Sequence, residues 1–502
     1  MAYGYVPVDR DQMFLMPPSV RDWLPEDHLV WFVLDVVERI DTSVLHARHL
    51  NDGVGRAAYD PDMLLALLIY AYCGGERSSR RIERLCEVDV GYRVICANLV
   101  PDHTTIARFR QNHEAHAAVL FVEVLMLCAE AGLATVGVVA VDGTKIAADA
   151  SPKKNRRRGW IEAEVAKMFA DAEQADRADN DQYGGGRGDE LPAGLRGLQA
   201  RRRRLDAALA QLDRERAERE ARMAAAQQAA AEAATEGRVV RGRIPKGAEV
   251  ERAQARLDRA RERRAKVEAA AIARGHRKPS GPTPDRSHAQ AEARVRAAQE
   301  QAANNPEPDI DNERANTTDA DSRIMKSPGG WVQGYNAQAA VNTNGIILAA
   351  DVTNRHNDVG ELTPMMTATA TNLEQVGQTK PIGIMLFDAG YLSDSNITTE
   401  GPDRLIATGK AWKLKRTEPT SGPPPHDASP IDAMEHRLRT PEGAATYALR
   451  QHTVEPVFGT IKEQRGFRRF TRRGITAVHA EWQLITTTHN LRKLFDHQLA
   501  PT

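Results

Sequence analysis

Two apolar runs, each closing on an aspartate, constrain this chain more than any other feature. They are TVGVVAVDG (135–143) and PIGIMLFDAG (381–390), and a long charged segment separates them. Val136 to Val141 reads as a buried strand ended by Asp142-Gly143, and the second run as another strand ended by Asp388. A carboxylate just past a buried strand is where α/β sheets gather ligand-binding groups. A turn aspartate before glycine is the ordinary alternative, so each residue gains weight only beside the other.

Strand-like sequence resumes after the charged segment. In WVQGYNAQAAVNTNGIILAADVT (331–353), Asn344-Gly345 between two β-rich runs is a hairpin signal. Asp358 to Leu373 reads as a helix and RLIATG (404–409) as a fifth strand. With the charged segment removed, three antiparallel strands precede two strands connected through helices. That is the order of a ribonuclease-H-like fold. The expected class is therefore mixed α/β: a ribonuclease-H-like core (135–152 and 319–498), a helical N-terminal domain (1–134) and a helical, coiled-coil-like insertion (153–318).

The insertion opens on KKNRRR (153–158) and is rich in Ala, Arg, Glu and Gln. Leu195, Leu198, Leu205, Leu209 and Leu212 keep near-heptad spacing among charges of both signs. Gly237 to Gly247 breaks the helix, and a second helix is expected over Glu251 to Ala273. KPSGPTPD (278–285) reads as a linker, and Ser287 to Ala303 as a third helix. An antiparallel helical hairpin or coiled coil is the expected form, with partial disorder as the alternative.

From about Pro25 to Glu130 the pattern is helical, with starts at Asp60-Pro61, Ser78 or Ser79, and Pro101-Asp102. Thr104, Thr105, Arg108 and Arg110 are placed to face a DNA groove in a helix-turn-helix arrangement. The competing reading makes these arginines, with Arg77, Arg80, Arg81 and Arg84, a solvated face. Lys+Arg and Asp+Glu both number 68, which argues against a protein that coats nucleic acid by bulk charge. The four cysteines form no Cys-x-x-Cys pair, so a zinc ribbon is not expected and buried free thiols are. No signal peptide is apparent, and the apolar run Met63 to Tyr72 is too short for a bilayer. A cytoplasmic chain without a membrane partner is expected.

The third carboxylate lies in YALRQHTVEPVFGTIK (447–462). At about 100° per residue, Tyr447, Arg450, Glu455 and Lys462 fall on one side of an ideal helix. Pro456 either kinks that helix or starts a second one. If Asp142, Asp388 and Glu455 converge, each close pair costs roughly 4 kcal/mol at about 4 Å. Such a cluster stays ionised only beside cations, and hard oxygen ligands suit Mg²⁺, with Mn²⁺ possible. Two ions would activate an attacking oxygen and stabilise the leaving one in a phosphodiester displacement.

VDGTKIAADAS, MKSPGGWVQGYNAQAAV, ADVTNRHNDVGEL, LFDAGYLS and YALRQHTVEPVFGTIKEQRGFRRF, in this order, resemble the DDE transposases of bacterial insertion sequences. The branch is the one with a Tyr-x-x-Arg, Glu, Lys motif around the third acid. YDPDMLLALLIYAYCGGERSSRRIERLCEVDVGYRVIC and PDHTTIARFR resemble its helical N-terminal domain. The resemblance implies that Asp142, Asp388 and Glu455 are the catalytic, metal-binding triad. It implies that Tyr447, Arg450 and Lys462 position DNA phosphates. It implies cleavage at the element's terminal inverted repeats, strand transfer into target DNA, and a homodimer that pairs two ends. Four residues separate Arg450 from Glu455, where some relatives have three, and the helical insertion between the first two strands is not shared with them.

Arg465, Arg468, Arg469, Arg472 and Arg473 alternate with Gly466, Phe467 and Phe470, which suits phosphate contacts with aromatic packing or base stacking. Other acids compete: a strand-end position favours Asp142 over Asp149, Asp321 reads as structural or as a DNA-proximal pair with Arg323, and Asp351, inside a strand, reads as the partner of a basic neighbour. Asp358 and Glu361 read as the cap and first turn of a helix. The alternative functions are a metal-dependent nuclease without strand transfer, and an inactive DNA-binding scaffold derived from a transposase.

Overall fold

The computed structural model describes residues 19–47, 58–183, 193–235, 249–273, 282–303, 312–327, 329–409, 418–426 and 428–500. Two units emerge: residues 1–150 with 322–502, and residues 151–321. The expected helix break at Gly237 to Gly247 and the start of the linker at 278 lie outside the described residues.

Helices open the first unit. They are α1 (Leu29–Arg39), α2 (Ser43–His46), α3 (Pro61–Cys73), α4 (Ser79–Val88), α5 (Val90–Ile95), α6 (His103–Asn112) and α7 (His116–Glu130). Their starts follow from local chemistry. The Asp60 side chain accepts from Asp62 N with Pro61 in the first turn, and Asp102 accepts from Thr104 N and Thr105 N. α3 is apolar all round and is buried accordingly. All four cysteines are free and buried.

The sheet forms around β1 (Val138–Ala147). In the second unit come β2 (Asn155–Arg157), α8 (Arg158–Tyr183), α9 (Ala193–Thr235), α10 (Glu249–Ala273), α11 (Pro282–Ala303) and β3 (Arg314–Asn316). The first unit resumes with β4 (Arg323–Ser327), β5 (Gly330–Asn342), β6 (Ile347–Thr353), α12 (Leu362–Gln375), β7 (Ile384–Phe387), α13 (Asp394–Thr398) and β8 (Arg404–Ile406). It closes with α14 (Pro430–Leu438), α15 (Pro441–Thr453), α16 (Glu455–Gly459) and α17 (Ile475–Leu499). β1, β5 and β6 are antiparallel neighbours, the last two joined through the Asn344-Gly345 turn, while β7 and β8 run parallel to β1 on its other side. β4, which sequence periodicity did not reveal, adds an arm to β5 beyond β6.

One core runs unbroken across residue 134, from Val30 and Leu67 through Val139, Val341 and Leu386 to Trp482 and Leu491. α17 looks amphipathic in sequence, yet Trp482 to Leu491 is buried on every side. Its polar residues bond locally: Thr486 and Thr487 return their hydroxyls to Trp482 O and Gln483 O, and Asn490 pairs with Ile347 N and O. A polar pattern therefore hides a core helix.

The second unit is helical with one short β2–β3 pair that sequence reading missed. Leu205 and Leu212 of α9 bury against Ile161 of α8 and Ala315 of β3, so part of the leucine spacing is a packed seam. A second cluster joins Leu257 of α10 to Ala291 and Val295 of α11. α11 starts at Pro282, inside the stretch expected to be a linker, because proline is accommodated in a first helical turn.

Candidate active site

The parallel pairing of β1 and β7 ends at Val141 opposite Phe387. Asp142, still within β1, and Asp388, the first residue past β7, come next. Equivalent positions on neighbouring strands share a level and a face, so two acids distant in sequence leave the sheet side by side. The strand does not end at Asp142, as its pattern implied. β1 continues to Ala147 because β5 keeps pairing with it, from Asp142 opposite Ala339 to Ala147 opposite Gly334. Along its other edge, Ala147 N donates to Arg468 O (3.2 Å) and Phe470 N donates to Ala147 O (2.8 Å).

Glu455 arrives from α15 and α16. The Thr440 hydroxyl caps α15 by accepting from Gly443 N, and α16 starts afresh at Glu455 with Pro456 in its first turn. The second of the two roles open to that proline is the one adopted. A π-helical turn, Thr460–Gln464, follows and carries Lys462. Tyr447 donates its hydroxyl to Phe387 O (3.2 Å), and Lys462 Nζ donates to Thr144 Oγ1 (2.9 Å) and Lys145 O (3.3 Å). Arg450 lies between two acids, with Nη2 at 2.8 Å from Asp142 Oδ2 and Nη1 at 3.9 Å from Glu455 Oε1. Tyr447, Arg450 and Lys462 thus pin the Glu455 segment to β7 and β1.

Burial pushes the Asp142 carboxyl up to about 6 against the pull of Arg450, and the charges of Asp388 and Asp358 push the same way. Asp388 is also raised, first by burial, although Arg450 and the Gly390 N–H oppose it. These acids carry more negative charge than one guanidinium compensates. An oxygen donor set short of positive charge suits a divalent cation. Asp142, Asp388 and Glu455 do not close to within 4.8 Å of one another. Among the described residues the trio that does is His46, Asp60 and Asp62 on the surface.

Asp358 is the residue that sequence reading misplaced. It stands before a short 3₁₀ turn at the start of α12 but makes no capping bond. Its Oδ1 instead accepts from Asn336 Nδ2 (2.6 Å), Gln338 Nε2 (2.8 Å) and Lys145 Nζ (3.4 Å), beside the two aspartates. Alternation along β5, which puts Asn336 and Gln338 on one face, is the signal that pointed there. Glu361 likewise makes no cap; it is buried beside Arg355 at 3.4 Å.

The arginines divide. Arg108, Arg468 and Arg469 are exposed, Arg468 in an ion pair with Glu463. Arg465 is buried, donating to Ile485 O, Tyr72 O and Thr488 Oγ1. Arg110 turns inward to Tyr72 Oη (3.0 Å) and Arg77 O (2.9 Å). Arg465 is thus a core residue, and Arg110 is half-buried with part of its guanidinium spent inside the fold. Phe467 and Phe470 are buried, against Tyr72 and against Tyr335 and Trp482 respectively, so they pack and do not present faces to bases. The hydroxyls of Thr104 and Thr105 are engaged by Asp102. Asp149 pairs with Arg473 (2.7 Å), Asp351 lies 3.1 Å from His479, and Asp321 lies 3.5 Å from Arg214.

A helical start, a sheet with two acids at one level and a helix bearing a third acid define a transposase-like chain, and comparison with known families agrees. Residues 18–112 match the family described as Transposase domain (DUF772), and residues 425–495 match the Transposase DDE domain. Both matches support an insertion-sequence DDE transposase. The second match contains Tyr447, Arg450, Glu455 and Lys462, whereas Asp142 and Asp388 lie outside both. No curated protein and no solved structure matched the chain. Among the described residues no helix is long and apolar enough to cross a membrane.

Proposed function

We propose that the chain cleaves DNA at the ends of its own element and joins the freed ends to target DNA, using Asp142, Asp388 and Glu455 in a ribonuclease-H-like core. The observation that carries the reading is positional: Asp142 and Asp388 leave adjacent parallel strands at one level, and Arg450 spans Asp142 and Glu455. The strand order β6-β5-β1-β7-β8, with the last two parallel to β1, supports the fold assignment.

Asp142, Asp388 and Glu455 would hold Mg²⁺ or Mn²⁺, two ions in a full site. When bound, the ions would supply Lewis-acid activation of the attacking oxygen and charge stabilisation of the leaving one. Water attacks the end phosphodiester, the phosphorus–oxygen bond to the 3′ side breaks, and a 3′-hydroxyl leaves. That hydroxyl then attacks a target phosphodiester, so no covalent protein–DNA intermediate forms. Tyr447 and Lys462 keep the Glu455 helix registered on the strands that carry the other acids. Arg450 offers its guanidinium to the same space and to a phosphate entering it. Arg108, Arg468 and Arg469 contact phosphates of the terminal repeat, and the N-terminal helices recognise the end. Two ends must be held together, which calls for a homodimer.

Labelled element ends incubated with Mg²⁺ and a target plasmid test this. Joined products sized to a dimeric end complex are expected. Cut ends without joining would favour a nuclease. Asp388→Asn is expected to abolish cleavage while leaving end binding intact; cutting at the wild-type rate would remove Asp388 from the mechanism.

A further inference from the structure

Asp358 stands in a place where packing alone does not call for a charge. Its Oδ1 is held by two buried amides and Lys145. The amides are themselves fixed: Gln338 Oε1 accepts from the Tyr391 hydroxyl, and Asn336 and Gln338 are fully buried on β5. Among the described residues no hydrogen bond or ion pair uses Asp358 Oδ2. That oxygen faces the acids. A Cβ added at Gly390 would lie 2.9 Å from Asp388 Oδ1 and 3.0 Å from Asp358 Oδ2, so both oxygens border one small space. A Cβ at Gly143, next to Asp142, would lie closest to Gln338 Nε2, and 2.7 Å from both Asp358 Oδ1 and Asn336 Oδ1. The two glycines that follow the acids leave room for Asp358 to come in.

A second observation points to a ligand. Asn336 Oδ1 is fully buried with no hydrogen-bond partner, although its Nδ2 is committed to Asp358. Buried carbonyl oxygens of this kind are normally paired. This one lies beside Gly143 and Asp358, where a donor such as a water bound to a cation would satisfy it.

Resting on the reading of Asp142 and Asp388 as cation ligands, we propose that Asp358 is a fourth carboxylate of that site, turning Oδ2 toward the bound cation while Asn336, Gln338 and Lys145 fix Oδ1. An asparagine there would keep the Oδ1 bonds and avoid placing a third negative charge beside two others. The aspartate is therefore explained by what its second oxygen does.

Mn²⁺ binding to the full chain without DNA, followed by the electron paramagnetic resonance signal of free Mn²⁺, tests this apart from activity. Asp358→Asn is expected to weaken Mn²⁺ about tenfold or more, in the range seen for residues that support metal ligands. Its unfolding temperature in EDTA is expected to be no lower than that of the wild type. Wild-type affinity in that variant would overturn the proposal. Should it fail to fold, Asp358→Glu and Asp358→Gln, equal in size and different in charge, decide: equal Mn²⁺ affinity would overturn it, and tighter binding by the glutamate variant would support it. Asp142→Asn separates the two levels. If it binds Mn²⁺ as the wild type does, the reading of the whole site fails; if it binds weakly while Asp358→Asn binds normally, only the role of Asp358 fails.

Discussion

Asp142 shows what burial does to a charge that the proposed function requires. Its carboxyl is held at about 6, above the ordinary 3.8, because it is removed from water and sits near two other acids. An acid whose folded value exceeds its unfolded one binds more protons folded than unfolded. Its contribution to stability is therefore lost as pH rises from 3.8 to about 6. Asp142→Asn is expected to raise the unfolding temperature in EDTA at pH 7.5 and to leave it nearly unchanged at pH 4. The gain should be about 2 kcal/mol, since each pKa unit is worth about 1.4 kcal/mol and the group keeps some exposure. Thermal melts at both pH values check this, and no gain at pH 7.5 would mean that Arg450 already neutralises the site.

At the scale of elements, the basic stretch after Lys462 separates two jobs that look alike in sequence. Arg465 is a core residue whose guanidinium serves three oxygens between α3 and α17, while Arg469 stands exposed four positions later. Arg465→Ala is expected to cost about 2–4 kcal/mol in denaturant unfolding, because it leaves buried oxygens unpaired. Arg469→Ala should leave stability unchanged and reduce the salt dependence of DNA binding by about one phosphate contact. Loss of stability in the second variant, or none in the first, would reverse the assignment. The strands at Val138, Gly330, Ile347, Ile384 and Arg404 and the Asn344-Gly345 turn were legible, as was a break at Pro456, because each rests on local backbone chemistry. The direction in which Arg465, Arg110 and Asp358 point was not, since it depends on which distant strand or helix supplies their partners. The buried interior of α17 was hidden for the same reason: its threonines and Asn490 look polar until their backbone partners are in place.

Across the whole molecule, the first unit is discontinuous in sequence, with residues 151–321 set between β1 and β4. One polymer thereby carries the sheet, its helical surround and a second unit with its own small cores at Ile161 and Leu257. Past Asp142, β1 runs on as paired strand. Ala147 stands five residues beyond Asp142 and is bonded there to the segment from Arg468 to Phe470. At roughly 3.4 Å per residue the two points are about 17 Å apart. If Asp142 marks the cut, as proposed, and duplex DNA lies along β1, its advance of about 3.4 Å per base pair puts a phosphate gripped by Arg469 about five base pairs from the cut. Ethylation of backbone phosphates should interfere with binding at that offset, and a footprint that moves when β1 is lengthened by two residues would show that the strand sets the measure.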